Sequence, residues 1–128
     1  MKILLDTHIW IWHLIGSAEM SRKHRRILED DSSEIWLSPI SIWETSFLIE
    51  RKRLPVKQTA KEWITAALIE FPIKEASLTF SIANRSRIIK LSHEDPADRF
   101  IAATAAEMKL TLLTADHRLK NCQEIQSA

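Results

Sequence analysis

The sequence predicts an α/β fold, a small parallel β-sheet with helices on both faces, in a single domain over residues 1–128. Three observations carry that prediction. A chain of 128 residues and 14.8 kDa has room for one core, and 45% hydrophobic residues fill it without disulfide staples. Glycine occurs once, at Gly16, where an average usage of about 7% gives roughly nine. That scarcity argues against sandwiches, barrels and solenoids, which need many positive-φ positions, and leaves no glycine-rich loop to cradle a nucleotide. Finally, short apolar runs of strand length alternate with segments of helical periodicity, the order of a parallel sheet with crossover helices.

Lys2-Ile3-Leu4-Leu5 is a nearly all-apolar run closed by Asp6-Thr7, as expected of a strand buried on both faces. A helix follows from about Thr7 to Ile15. A second runs from about Ala18 to Glu29, carrying the block Arg22-Lys23-His24-Arg25-Arg26, with Met20, Ile27 and Leu28 on its buried side. Glu34-Ile35-Trp36-Leu37 is a second strand, closed by Ser38-Pro39, after which Ile40, Trp43, Phe47 and Leu48 recur at the spacing of a buried helical stripe. That helix ends near Arg51-Lys52-Arg53 and Pro55. The segment from about Thr59 to Phe71 is helical again, with Trp63, Ala66, Ala67 and Ile69 to pack. Pro72-Ile73-Lys74-Glu75 reads as a weak strand, and Leu78 to Ile89 as a helix with Arg85 and Arg87 on its outer face. Asp95-Pro96 opens the next helix, to about Lys109, since aspartate caps well and proline suits the first helical position. Leu110-Thr111-Leu112-Leu113-Thr114 is the clearest late strand, and a short helix starts at Asp116.

Lys and Arg number 18 against 17 Asp and Glu, a net charge of +1, so composition marks neither a polyanion binder nor an acidic tail. The lone Cys122 forms no internal disulfide, which points to a reducing compartment, and the five scattered histidines have no zinc-site spacing. Lys2 and the apolar residues after it imitate a signal peptide, but Asp6, His8 and His13 interrupt them. No later run approaches the roughly 18 residues of a membrane span. The expectation is a soluble cytoplasmic protein.

In an open parallel sheet, ligands gather beyond the carboxyl ends of the strands, where strand order reverses. Four acids from four separated segments fall at that edge. Asp6 directly follows the first strand, Asp116 follows the late strand, Asp98 sits in the first turn of the helix between, and Glu44 lies early in the helix after the second strand. Each has a local explanation: Asp6 and Asp116 as helix caps, Asp98 as a charge favoured near a helix N-terminus, and Ser41-Ile42-Trp43-Glu44 as a capping box. With Ser38 as cap and Pro39 as first helical residue, however, Glu44 falls beyond the first turn, among apolar neighbours where an unpaired charge is expensive. Together the four pose a different problem, because converging like charges repel unless a cation lies between them. Magnesium, or manganese, accepts carboxylate oxygens and water without needing His or Cys. Such a site activates water and stabilises charge on a phosphoryl oxygen, which is the chemistry of phosphodiester hydrolysis. A non-catalytic binding module whose acids are all caps stands beside it as the alternative.

Leu4-Leu5-Asp6-Thr7-His8, Ser38-Pro39-Ile40-Ser41-Ile42-Trp43-Glu44, Asp95-Pro96-Ala97-Asp98-Arg99-Phe100-Ile101-Ala102-Ala103-Thr104-Ala105 and Leu113-Thr114-Ala115-Asp116 resemble the PIN-domain ribonucleases, specifically the VapC-type toxins of toxin–antitoxin pairs. The resemblance covers essentially the whole chain, and the block from Asp95 to Ala105 is its most specific part. It implies a PIN-like α/β fold and makes Asp6, Glu44, Asp98 and Asp116 an acidic catalytic and metal-binding quartet. Asp6 and Asp98 are then the primary ligands, while Glu44 and Asp116 complete the pocket, bind a second ion or hold the attacking water. Among auxiliary residues, Thr7 and Thr114 are expected to bond a metal water or a phosphate and Arg99 to contact the substrate backbone. Asp95 stands close but suits a helix cap better. The resemblance also implies Mg2+ or Mn2+ as cofactor, single-stranded RNA as substrate, a homodimer, and a cognate antitoxin whose tail enters the active site.

RNA approaching an acidic pocket needs flanking positive charge. Arg22 to Arg26, Arg51 to Arg53 with Lys57, and Arg85, Arg87 and Lys90 are the candidates, although any one such cluster is more readily a solvated helix face. Tryptophans 10, 12, 36, 43 and 63 suit core packing better than base stacking. Ile9, Trp10, Ile11, Trp12, Leu14 and Ile15 nevertheless make a helix apolar almost all round, which places Trp10 and Trp12 at a homodimer or antitoxin interface. Among rivals, an aspartate-based phosphatase needs a second Asp two residues after Asp6, where His8 stands. A receiver-like phosphoacceptor domain needs an acidic pair near the first strand and an acceptor Asp after a middle strand, and neither is found.

Overall fold

The computed structural model describes all 128 residues. In chain order the elements are β1 (Lys2–Leu5), α1 (Thr7–Ile15), α2 (Arg22–Glu29), β2 (Glu34–Leu37), α3 (Pro39–Glu50), α4 (Ala60–Glu70), β3 (Lys74–Glu75), α5 (Phe80–Ile88), α6 (Pro96–Met108), β4 (Thr111–Leu113), α7 (His117–Lys120) and β5 (Gln126–Ser127). The strands form one sheet in the order β3-β2-β1-β4-β5, parallel throughout. β1 is central: Leu4 is in register with Trp36 of β2 on one side and with Leu112 of β4 on the other.

Alternation along β1 divides the core into two layers. Ile3 and Leu5 pack with Ile9, Trp10 and Ile11 of α1, Leu28 of α2 and Ala67 of α4. Leu4 faces the opposite way, toward Ile101, Ala102 and Ala105 of α6 and Leu119 of α7. Helices thus cover both faces, as the near-continuous apolar strands require.

Local chemistry sets the element ends. Gly16 takes φ +65°, the left-handed conformation that ends α1, and its N–H bonds back to the last turn. The second helix starts later than its apolar spacing suggests, at Arg22, because the Ser21 side chain accepts from the His24 N–H and fixes the cap there. Ser38 caps α3 with Pro39 in the first turn, so the capping box at Ser41 and Glu44 does not form. β5 escapes sequence reasoning: its two residues carry no apolar pattern and join the sheet through backbone, Ala128 N–H donating to Leu112 O at 2.9 Å.

Two expectations about tryptophans are corrected. Trp43 is 60% exposed, not part of a buried stripe, and stacks on Phe47 with centroids 5.7 Å apart and Arg51 over the far ring. The inward stripe of α3 is Ser41, Thr45 and Ile49, small at its first two positions, with the Thr45 hydroxyl satisfied by Ser41 O. Trp10, expected at an interface, is fully buried, in the core layer that holds Ile3 and Leu5 of β1 and against the edge of Trp63 of α4. No helix is long and apolar enough to cross a membrane.

Candidate active site

Strand order reverses between β1 and β4, the adjacent central strands whose carboxyl ends lie side by side. Asp6 stands at that point, its N–H continuing the ladder to Leu113 O at 3.0 Å. Its carboxylate is held twice, Oδ1 accepting from the Thr7 N–H at 2.8 Å and Oδ2 from Thr114 Oγ1 at 2.6 Å. Thr114 also accepts from the Asp116 N–H at 3.0 Å, so one hydroxyl ties the acid after β1 to the acid after β4. Glu44 reaches across from α3 and accepts from the Thr7 hydroxyl. Ser41 Oγ lies 2.8 Å from Thr7 Oγ1 and, with that proton directed to Glu44, serves as donor to Thr7.

Asp98 enters from the first turn of α6 and Asp116 from the cap of α7. Asp6, Glu44, Asp98 and Asp116 line one cleft of about 330 Å³, together with His8, Trp12, Ala115 and Arg118. Asp6 and Asp116 are helix caps as well, so capping and convergence are properties of the same residues.

The cleft is electrostatically unbalanced. Burial, then the charges of Asp6, Asp95, Glu44 and Asp116, push the Asp98 carboxyl up to about 7. Burial also raises Asp6 and Glu44 against the opposing hydrogen bonds from Thr114 and Thr7. Asp116 goes the other way: against the upward push of burial, its bonds from the Arg118 side chain and backbone hold it below the ordinary carboxylate range. Among the four acids, only Asp116 pairs with a permanently charged side chain, the Arg118 guanidinium at 3.1 Å.

Sequence reasoning passes over His93. Its Nε2 is buried, lies 3.4 Å from Asp98 Oδ2 outside hydrogen-bond alignment, and has no hydrogen-bond partner. His93, Asp98 and Asp116 each present a ligand atom within 4.8 Å of the others. Carboxylates with an orphaned imidazole nitrogen are a donor set that fits a divalent cation. The loop before α6 has no periodicity to reveal this, but His93-Glu94-Asp95 just ahead of a proline-opened helix is a concentration of polar chemistry. Arg118, two residues past a capping aspartate, is the other omission.

The auxiliary residues have different duties from those expected. Arg99 is 6% exposed and turned away from the cleft; it donates to the carbonyls of Ser86, Arg87, Ile89 and His93, binding the end of α5 and the loop before α6. A substrate contact is therefore not its role. The hydroxyls of Thr7 and Thr114 are taken up by Glu44 and Asp6, so they orient acids and do not face the open cleft. Asp95 caps α6, accepting from the Ala97 N–H at 3.0 Å. Of the basic side chains expected to flank the pocket, Arg85 is ion-paired with Glu107 and Glu124 at 3.0 and 3.1 Å.

The family model of the PIN domain matches residues 3–124. Ribonuclease VapC22 of Mycobacterium tuberculosis is 30% identical over 120 residues, which is 93% of this chain and 90% of the relative. Among solved structures, VapBC2 from Rickettsia felis bound to a DNA fragment from its promoter superposes with a TM-score of 0.75 at 14% identity, covering 100% of this chain and 98% of the other. DNA-bound VapBC from Salmonella typhimurium gives 0.72 at 20% identity, covering 100% and 97%. At these identities the two structures bear on the fold alone.

Proposed function

The chain belongs to the PIN-domain family, and from that premise we propose that it is a VapC-type endoribonuclease toxin, one PIN domain over residues 1–128, hydrolysing RNA phosphodiester bonds. Asp6, Glu44, Asp98 and Asp116 form its catalytic and metal-binding quartet, with Mg2+ or Mn2+ as cofactor. The observation that supports this most is the convergence of four carboxylates in one cleft at the strand-order reversal, with an ion-paired cation beside one of them. Like charges gathered at this density are stabilised by a bound cation and costly without it. The partners proposed are an RNA substrate, an antitoxin, as the toxin–antitoxin complex from Klebsiella pneumoniae among the structural matches suggests, and a second copy in a homodimer; the proposed location is the cytoplasm.

A divalent ion held by these acids supplies an activated water and charge neutralisation for phosphoryl transfer. The protein's own part is positioning. Thr114 and the Thr7 N–H fix both oxygens of Asp6, and Thr7, backed by Ser41, fixes Glu44. Buried hydroxyl-to-carboxylate bonds of this kind keep the acids oriented before substrate arrives. Arg118, exposed at the rim, offers the cleft a cationic group that can meet a phosphate.

The test is direct. Purified, antitoxin-free protein is incubated with a mixed RNA pool in Mg2+, in Mn2+ and in chelator, beside Asp6→Asn and Asp98→Asn. Cleavage is expected only with metal and only in the unsubstituted protein. Cleavage that survives chelator or both substitutions overturns the mechanism.

A further inference from the structure

We propose that His93 supplies a nitrogen ligand to the divalent cation of this cleft, beside Asp98 and Asp116, and so biases the site toward transition-metal ions such as Mn2+ over Mg2+. This rests on the metal-dependent reading of the acidic quartet, and adds to it a residue from the loop between α5 and α6.

Three observations carry it. The Nε2 atom of His93 is buried and has no hydrogen-bond partner, an arrangement that native interiors avoid unless something else satisfies the atom. It points at the cluster: Asp98 Oδ2 is 3.4 Å away, and one atom each from His93, Asp98 and Asp116 fall within 4.8 Å of one another, close enough to share one ion at ordinary ligand distances. The loop that carries the ring is also anchored. Arg99, buried behind it, donates to His93 O at 3.3 Å while its remaining nitrogens bind carbonyls at the end of α5. A ring held at its backbone by a buried guanidinium is a pre-positioned ligand, and Arg99 is the positioning residue behind it.

The choice of ion follows from ligand chemistry. Carboxylates and water suit Mg2+, which gives up its hydration shell reluctantly. An imidazole nitrogen adds little for Mg2+ but a favourable bond for first-row transition ions. Removing His93 should therefore weaken Mn2+ far more than Mg2+.

The experiment loads the full chain with Mn2+ alone and reads the ion by pulsed electron paramagnetic resonance, looking for imidazole ¹⁴N coupling. Calorimetric titrations with Mn2+ and Mg2+ accompany it. Wild type is expected to show the coupling, His8→Gln to keep it, and His93→Gln to lose it together with roughly tenfold in Mn2+ affinity, while Mg2+ affinity changes by less than about threefold. Mn2+ that binds wild type without ¹⁴N coupling, or coupling that persists in His93→Gln, overturns the assignment of His93 and leaves the acidic site standing. Absence of any binding by either ion overturns both.

Discussion

Asp98 and Arg99 are neighbours on α6 with opposite surroundings. The Asp98 side chain sits at 14% exposure among acids that push its carboxyl up to about 7, next to an imidazole nitrogen with no hydrogen-bond partner. The Arg99 side chain, more deeply buried at 7% exposure, meets four backbone carbonyls, including those at the negative end of α5. One charge is satisfied by the fold and the other is left in repulsion. A satisfied buried charge is part of the architecture, whereas one kept against its own electrostatics in a cleft marks a candidate functional site.

The largest effect should come from relieving that repulsion. Asp98→Asn is expected to lower RNA cleavage by roughly 10²–10³-fold, the scale of metal-assisted charge stabilisation. In chelator the same variant should be more stable than wild type by about 1–2 kcal/mol, read from thermal melting, because a like charge has gone. Loss of stability with cleavage retained would make Asp98 a structural residue and erase the contrast with Arg99.

Arg99→Ala tests the other side. It leaves four carbonyls without their donor, and a cost of about 2–4 kcal/mol is expected in urea unfolding. A cost within about 0.5 kcal/mol would show that water replaces the guanidinium easily and that this cluster is no more architectural than an exposed pair.

Much of the fold and of the acidic site is legible in the residues, and the remainder has physical reasons to be hidden. Strand and helix order follow from apolar runs and from caps such as Ser38 and Asp95, whose side-chain chemistry acts within three residues. The four acids could be placed at one edge because a parallel sheet delivers its strand ends there. What sequence cannot give is the direction of a side chain whose partners are distant. Arg99 reads as a substrate contact until the α5 carbonyls are seen around it, and Trp43 reads as core until Ser41 and Thr45 are seen to occupy the inward side. His93 lies in a loop, where no period reports which way a ring points.

A pH series in chelator sharpens the comparison further. The folded Asp98 carboxyl titrates near 7, above its ordinary value of 3.8, and Asp6 and Glu44 are raised in the same direction. The folded protein therefore keeps protons that the unfolded chain has released. Stability must fall as pH rises from the ordinary carboxylate range to about 7 and flatten above it. A decline of about 1–2 kcal/mol is expected once solvent screening is discounted, measured as melting temperature against pH. Saturating Mn2+ should abolish it, and an identical decline with metal present would mean that the ion does not meet these acids.

The smallest effect separates support from repulsion within the cleft itself. Thr114 donates to Asp6 and accepts from the Asp116 N–H, so it links two acids that otherwise repel, as Thr7 links Asp6 to Glu44. Thr114→Val preserves shape and removes both bonds, for an expected loss of about 1 kcal/mol at neutral pH. Because the hydroxyl bond favours the charged form of Asp6, deleting it raises that carboxyl further, and the loss should shrink in acid, where Asp6 is protonated in either protein. Equal losses at both ends of the pH range would assign Thr114 to the backbone of Asp116 alone. A loss confined to the charged range would mark it as the residue that keeps Asp6 ionised and aimed into the cleft, so that the architecture of β4 acts directly on the chemistry at β1.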